Sequence, residues 1–292
     1  MRFGIMEMQV EYLVPVGQLQ GSVTAYVSAF DHANLVMRLA SQGFNVIELG
    51  GDLAMFFGEA FDRATIERLK ALKEKNGLSF TVHLPLWSVE PSTPLLPVRQ
   101  GSVRAVADII RATLPLEPEV YVLHAYGALA SEFFRMRLAE TARALILQQF
   151  QLGAMASIKT ILAETGIPSR QLAVETVEFP FEMTLALAEQ LDLSMCFDTG
   201  HVLSGFSGPV EFFDALERCL PRLAEVHLHD SPLQTDQTKI EYGKDHQPLG
   251  TGDLDLARLL DRLQAANFGG PIIFELTVPQ AIASRDVIRQ IR

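Results

Sequence analysis

Eight short apolar runs, each followed by residues with helical spacing of apolar side chains, constrain this chain more than any other feature. They are Phe3 to Met8, Phe44 to Leu49, Phe80 to Leu84, Val120 to Leu123, Leu172 to Val174, Leu193 to Phe197, Leu223 to Leu228 and Ile272 to Phe274. Runs so short and continuous suit strands covered on both faces, as in a parallel sheet with helical crossovers. Eight such units close a barrel, for which about 250 residues is an ordinary length. With 292 residues and no Gly/Ser linker, charge run or break in composition, the chain reads as one (β/α)8 TIM-barrel domain over 1–292. An open doubly wound sheet is the rival, but no glycine-rich phosphate-binding turn follows the first run.

The expected helices lie at about Val23–Ser41, Asp62–Asn76, Ser102–Leu114, Ser131–Thr165, Phe181–Leu191, Pro209–Leu220, Leu254–Asn267 and Pro279–Ile291. Asp62 is a good N-cap, Gly77 a good stop, and Gly153 marks a break in the long fourth crossover. The first run leads out through Pro15, Gly17 and Gly21, and Asp230 to Gly252 is the longest irregular stretch.

A formal charge of −11 argues against a surface built to neutralise nucleic-acid phosphates. Two cysteines, Cys196 and Cys219, cannot make a disulfide framework. The N-terminus enters a strand-like segment directly, and no run has the length of a membrane span. A cytoplasmic protein with no membrane contact is the expectation.

Six of the seven histidines, His83, His124, His201, His227, His229 and His246, stand at the end of an expected strand or in the loop after it. Only His32 falls on a helix. Glu175, Asp198 and Glu275 join the six at strand ends. In a barrel these ends open on one face, where the active site is expected. Taken singly, each residue is explained by hydrogen-bonded packing. Taken together, buried carboxylates with few basic partners repel one another, and a bound cation resolves the conflict. Nitrogen and oxygen donors without thiolates suit a Zn²⁺ or Mn²⁺ site. His229, two residues after His227 and on the same strand face, is expected to support a ligand from outside.

The ordered motifs His83-Leu-Pro, Leu123-His124-Ala, Val174-Glu175-Thr, Phe197-Asp198-Thr-Gly-His201, Val226-His227-Leu-His-Asp230-Ser, His246-Gln-Pro-Leu-Gly-Thr-Gly252 and Phe274-Glu275-Leu resemble the xylose isomerase-like TIM barrels. The resemblance is to the group that holds the sugar phosphate isomerases and epimerases and the endonuclease IV (AP endonuclease family 2) enzymes. In the isomerase and epimerase branch it implies one metal held by Glu175, Asp198, His227 and Glu275. The two glutamates then move a proton of a hydroxy-carbonyl substrate through an enediolate, and His201 touches a substrate oxygen. In the endonuclease IV branch it implies up to three zinc ions, with His83, His124, His201 and His246 as further ligands. The acid of that pattern, two residues before the last His, falls on Lys244 here, with Asp245 displaced by one place; this puts the third metal site in question. The implied cofactor is one to three divalent ions: Mn²⁺, Zn²⁺, Mg²⁺ or Co²⁺.

The long loop holds just Lys239 and Lys244 as positive charges, which favours a small polar substrate over duplex DNA. Trp87, with Leu86 and Val89, is expected to wall the substrate, as are Met55, Phe56 and Phe57 after the second strand. The leading expectation is a metal-dependent isomerase or epimerase of a sugar, sugar phosphate or similar compound. The alternative is a di- or trinuclear zinc phosphoesterase acting on a small molecule. Assembly into a homo-oligomer is left open.

Overall fold

The structure is a computed structural model and describes residues 1–7, 9, 30–236 and 239–291. Its strands are β1 (Arg2–Met6), β2 (Val46–Gly50), β3 (Ser79–His83), β4 (Tyr121–Leu123), β5 (Leu172–Glu175), β6 (Ser194–Asp198), β7 (Leu223–His227) and β8 (Pro271–Phe274). All pair in parallel in chain order, and β1 pairs with β8, Ile5 opposite Phe274, to close the barrel. The expected fold class is therefore the observed one. The turn expected through Pro15, Gly17 and Gly21 and the start of the Val23–Ser41 helix lie outside the described residues.

The helices that cover the barrel are α1 (His32–Ser41), α2 (Leu53–Phe56), α3 (Arg63–Asn76), α4 (Leu96–Thr113), α5 (Ala128–Arg135), α6 (Glu140–Thr165), α7 (Phe181–Gln190), α8 (Thr199–Leu203), α9 (Phe212–Cys219), α10 (Leu256–Ala265) and α11 (Val278–Ile291). Asp62 caps α3 by accepting the Thr65 N–H, and Gly77 ends it in the left-handed conformation, φ 64°. The main apolar core lies between strands and helices. Inside the barrel the apolar filling is small: Val120, Val122, Ala173 and Cys196, all buried.

The fourth crossover differs from expectation. It breaks between Arg135 and Glu140, while Gly153 lies inside the continuous helix α6. A Cβ at Gly153 would run into the Ser92 carbonyl, and Ser157, one turn on, donates to the Pro91 carbonyl at 2.6 Å. Glycine is needed there because α6 presses on the loop after β3, not because the helix stops. No helix among the described residues is long and apolar enough to cross a membrane.

Candidate metal centre

His83, Glu175, Asp198 and His227 are the last residues of β3, β5, β6 and β7; His124 and Glu275 follow β4 and β8 by one place. Strand alternation points all six toward the barrel axis at its C-terminal mouth, and Asp198 and His227 are register partners. The end of β6 shows how local chemistry aims the group. The Asp198 Oδ1 accepts the His201 N–H at 2.7 Å and so caps α8, leaving Oδ2 to face the other ligands. Thr199 Oγ1 donates to the His229 carbonyl at 2.6 Å and pins β6 to the end of β7. Gly200 has no room for a Cβ, which would meet Asp245 and His229.

Five groups of candidate donors result among the described residues; two of them, His229 with His246 and Glu275, and Glu48 with Glu225 and His227, share members with the three that line or face the mouth. Glu175, Asp198, His227 and Glu275 form the innermost, with ligand-type atoms within 4.8 Å of one another. From His227 Nδ1 the nearest oxygens are Glu275 Oε1 at 3.3 Å, Glu175 Oε1 at 3.5 Å and Asp198 Oδ2 at 3.8 Å. Ligands about 2.0–2.2 Å from a tetrahedral ion stand about 3.3–3.6 Å apart, close to these spacings. Glu175 Oε1 and His227 Nδ1 are buried with no hydrogen-bond partner among the described residues. A divalent metal between these two buried atoms would satisfy both, so the donor set fits one.

A second group consists of His83, His124 and the other oxygen of Glu175. His83 Nδ1 donates to the Leu84 carbonyl at 3.0 Å and its Nε2 lies 3.2 Å from Glu175 Oε2; His124 Nε2 is 2.9 Å from the same oxygen. The third group is His201, Asp245 and His246. His201 donates from Nδ1 to the Thr176 carbonyl at 3.1 Å and turns Nε2 toward Asp245 Oδ2 at 3.7 Å, while His246 Nδ1 lies 2.7 Å from that oxygen. Asp245, one place after the position where the resemblance looks for an acid, brings its carboxylate to both of these histidines. Lys244 points elsewhere, to Glu241.

Charge within the cluster is balanced by histidine. Burial pulls the His83 ring down, yet the Glu175 carboxylate beside it holds it at about 9. Burial opposes charge on His201 too, and Asp198 and Glu175 raise it to about 9. His246 is lifted to about 11, against burial, by its bonds to Asp245 and Glu275. Burial raises Glu175 and Glu275, but the surrounding imidazoles hold both well below the usual carboxylate range. Metal-free, the mouth keeps protons on these imidazoles at neutral pH, and a cation that takes their lone pairs must release them.

His229 stands outside the ligand ring and supports it: Nε2 donates to Asp198 Oδ2 at 2.8 Å, and Nδ1 contacts the Asp245 carbonyl. The sequence reading missed the layer beneath. Glu48 of β2 and Glu225 of β7 are fully buried inside the barrel. His227 Nε2 lies 3.3 Å from Glu48 Oε2, and Thr81 donates to Glu225 Oε1 at 3.1 Å. Burial and the Glu48 charge push the Glu225 carboxyl well up. The available signal was a glutamate inside an apolar run, and for Glu225 its place two residues before His227, on the same strand face.

Above the ligands is a cavity of about 600 Å³ lined by His83, His124, Glu175, His201, His246, Glu275, Leu86 and Trp87. Asp52 accepts the Leu86 and Trp87 N–H groups at 2.9 and 3.3 Å and so holds Trp87 on the rim. Val89 is buried away from this cavity, and Met55, Phe56 and Phe57 do not line it. Phe57 stacks on Phe30, and Phe56 reaches only the edge of Trp87.

The chain is 22% identical over 236 residues to an uncharacterized protein, MJ1311, of Methanocaldococcus jannaschii, covering 77% of this chain and 74% of that one. Its fold matches a D-tagatose 3-epimerase-like protein with a TM-score of 0.71 at 18% identity, covering 100% and 97% of the two chains. It matches the 3-keto-D-glucoside 4-epimerase YcjR of E. coli at 0.67 and 16%, covering 100% and 99%. Endonuclease IV of Thermus thermophilus follows at 0.63 and 20%, covering 89% and 93%. The sequence signature described as xylose isomerase-like TIM barrel matches residues 36–291. A match of that length, on eight strands that close and carry their ligand-type side chains at one mouth, makes this protein a member of the xylose isomerase-like TIM barrel family.

Proposed function

We propose that the protein is a hydrolase of phosphoesters in a small molecule, with two or three divalent ions at the barrel mouth. The observation that carries this reading is the division of Glu175, whose Oε1 belongs to the innermost donor group and whose Oε2 belongs to His83 and His124. A carboxylate divided in this way would serve two donor groups at once if ions are held there, which suits a multi-ion site better than a free general base. Ions held there would acidify a water and neutralise the phosphoester oxygens. The chain's own residues do the rest. His83, His124, Asp198, His227 and Glu275 fix the donor geometry, His201, Asp245 and His246 offer a third position, and Trp87 gives the less polar part of the substrate a wall. A small molecule is favoured over duplex DNA because both lysines of the long loop are tied to carboxylates, Lys239 to Asp236 at 2.9 Å and Lys244 to Glu241.

The sugar isomerase or epimerase reading stays as the second. It is supported by the fold shared with sugar epimerases and by Glu275, which lines the cavity and is more exposed than Glu175. Metal content and two assays separate the readings. Two or three ions per chain with release of nitrophenol from bis(p-nitrophenyl) phosphate is the expected result. One ion, no hydrolysis, and exchange of a ketose C–H proton for solvent deuterium would overturn it in favour of the epimerase.

A further inference from the structure

At the same end of the barrel, away from the ligands, lies a second cavity of about 800 Å³ at the α5–α6 junction. Arg135, Arg137 and Arg143 line it, and the one carboxylate among its lining residues is Glu178. That concentration of positive charge stands in a chain whose net charge is −11. Glu178 and Arg135 engage each other at 3.2 Å, Glu178 also receives the Tyr242 hydroxyl, and Arg135 lies 4.9 Å over the Tyr242 ring, which leaves Arg137 and Arg143 as the cations of the cavity with no carboxylate partner among the described residues. Arg143 lies over the Phe134 ring at 4.9 Å, and its Nε is buried without a hydrogen-bond partner among the described residues. A buried guanidinium N–H left unpaired is costly, and it marks a place for an acceptor.

We propose that this cavity is an anion site that takes a phosphate group on Arg135, Arg137 and Arg143. One guanidinium suffices for a carboxylate, whereas three arginines lining one cavity, only one of them paired with a carboxylate, suit a group with three oxygens and nearly two charges. Ala139, the cap residue of α6, also lines the cavity, which places the arginines beside the start of that helix. The site is separate from the metal centre. Tyr242 stacks on Phe206 at 5.3 Å, and Phe206 in turn lies 5.5 Å from the His201 ring, so these two aromatics partition the two cavities.

The phosphate can be free or can be the far end of a larger molecule, and the test distinguishes them. Inorganic phosphate is titrated calorimetrically into the full chain, metal-loaded and after chelation. It is also titrated into Arg137→Gln and the Arg137→Gln/Arg143→Gln double variant. Binding should survive chelation, weaken several-fold in Arg137→Gln and at least tenfold in the double variant. Arg137 is exposed, so its variant keeps the fold even if the double variant does not. No binding by the chelated protein, or unchanged affinity in Arg137→Gln, would overturn the proposal. In the supporting case, a ketose phosphate is then titrated as well. A gain in its affinity on metal loading that Arg137→Gln abolishes identifies one molecule spanning both cavities; a gain that persists identifies an independent phosphate ligand.

Discussion

Glu48→Gln tests whether the metal centre depends on the layer beneath it. Glu48 is fully buried and accepts the His227 Nε2–H on Oε1 at 3.4 Å, while its Oε2, 3.3 Å from the same nitrogen, has no hydrogen-bond partner among the described residues. That bond fixes the tautomer in which Nδ1 carries the lone pair, aimed at Glu175, Asp198 and Glu275. Glutamine keeps the shape but can donate to Nε2, which would put the proton on Nδ1 and close it to a metal. A hydrogen bond to a charged group contributes about 1.5–3 kcal/mol. Losing such an outer partner typically weakens metal binding about 10–100-fold, or about 1.4–2.7 kcal/mol, and the two ranges agree. Competition with a fluorescent chelator measures the tightest site directly. Affinity within threefold of wild type, in a variant with unchanged circular dichroism, would refute the reasoning and leave Glu48 as packing.

Asp245→Asn should lower the metal content by one ion where three are bound and leave the Glu175 pair filled, as read by elemental analysis. Trp87→Ala should raise KM about tenfold with little change in kcat or metal content, since Trp87 touches the cavity and no ligand. The buried His32 ring, disfavoured as a cation by burial, is raised above its usual value by Glu7, 2.7 Å away. Its contribution to stability is therefore complete below about pH 6.5 and lost as pH rises through the folded-state value, so His32→Gln should flatten the fall of Tm with pH above 6.5. Gly153→Ala gains about 0.5–1 kcal/mol of helix propensity but forces α6 off the Ser92 carbonyl, which costs about 1–3 kcal/mol; the melting temperature should drop.

Much of the barrel was legible because strands buried on both faces leave continuous apolar runs, and a strand's end is marked where that run meets a polar residue. His83, Glu175, Asp198 and His227 stand at such points, so order along the chain was enough to gather them. Position 245 was not legible in the same way. Its side chain reaches His201 because the loop after β7 folds back, with Asp230 and Gln247 bridged, and loop geometry leaves no periodic trace. Glu48 and Glu225 were hidden for the opposite reason, a charged residue in an apolar run reading as an exception until the strand partners beside it are known. Gly153 misled because sequence alone does not tell a glycine that ends a helix from one that lets a neighbour come close. The arginines of the second cavity come from α5, the junction and α6, and became a cluster only when the helix broke at Met136.

If two ions are held at the mouth, as proposed, the shared Glu175 would make their occupancy a collective property. An ion held at one oxygen would fix the carboxylate and so set the direction of the other oxygen toward the neighbouring donors. Filling is then steeper than for independent sites: a chelator should strip both ions over a narrow range of free metal, and the half-loaded protein should be scarce. Activity would respond to metal supply as a threshold rather than in proportion, and Glu175→Gln would remove the threshold together with the bridge.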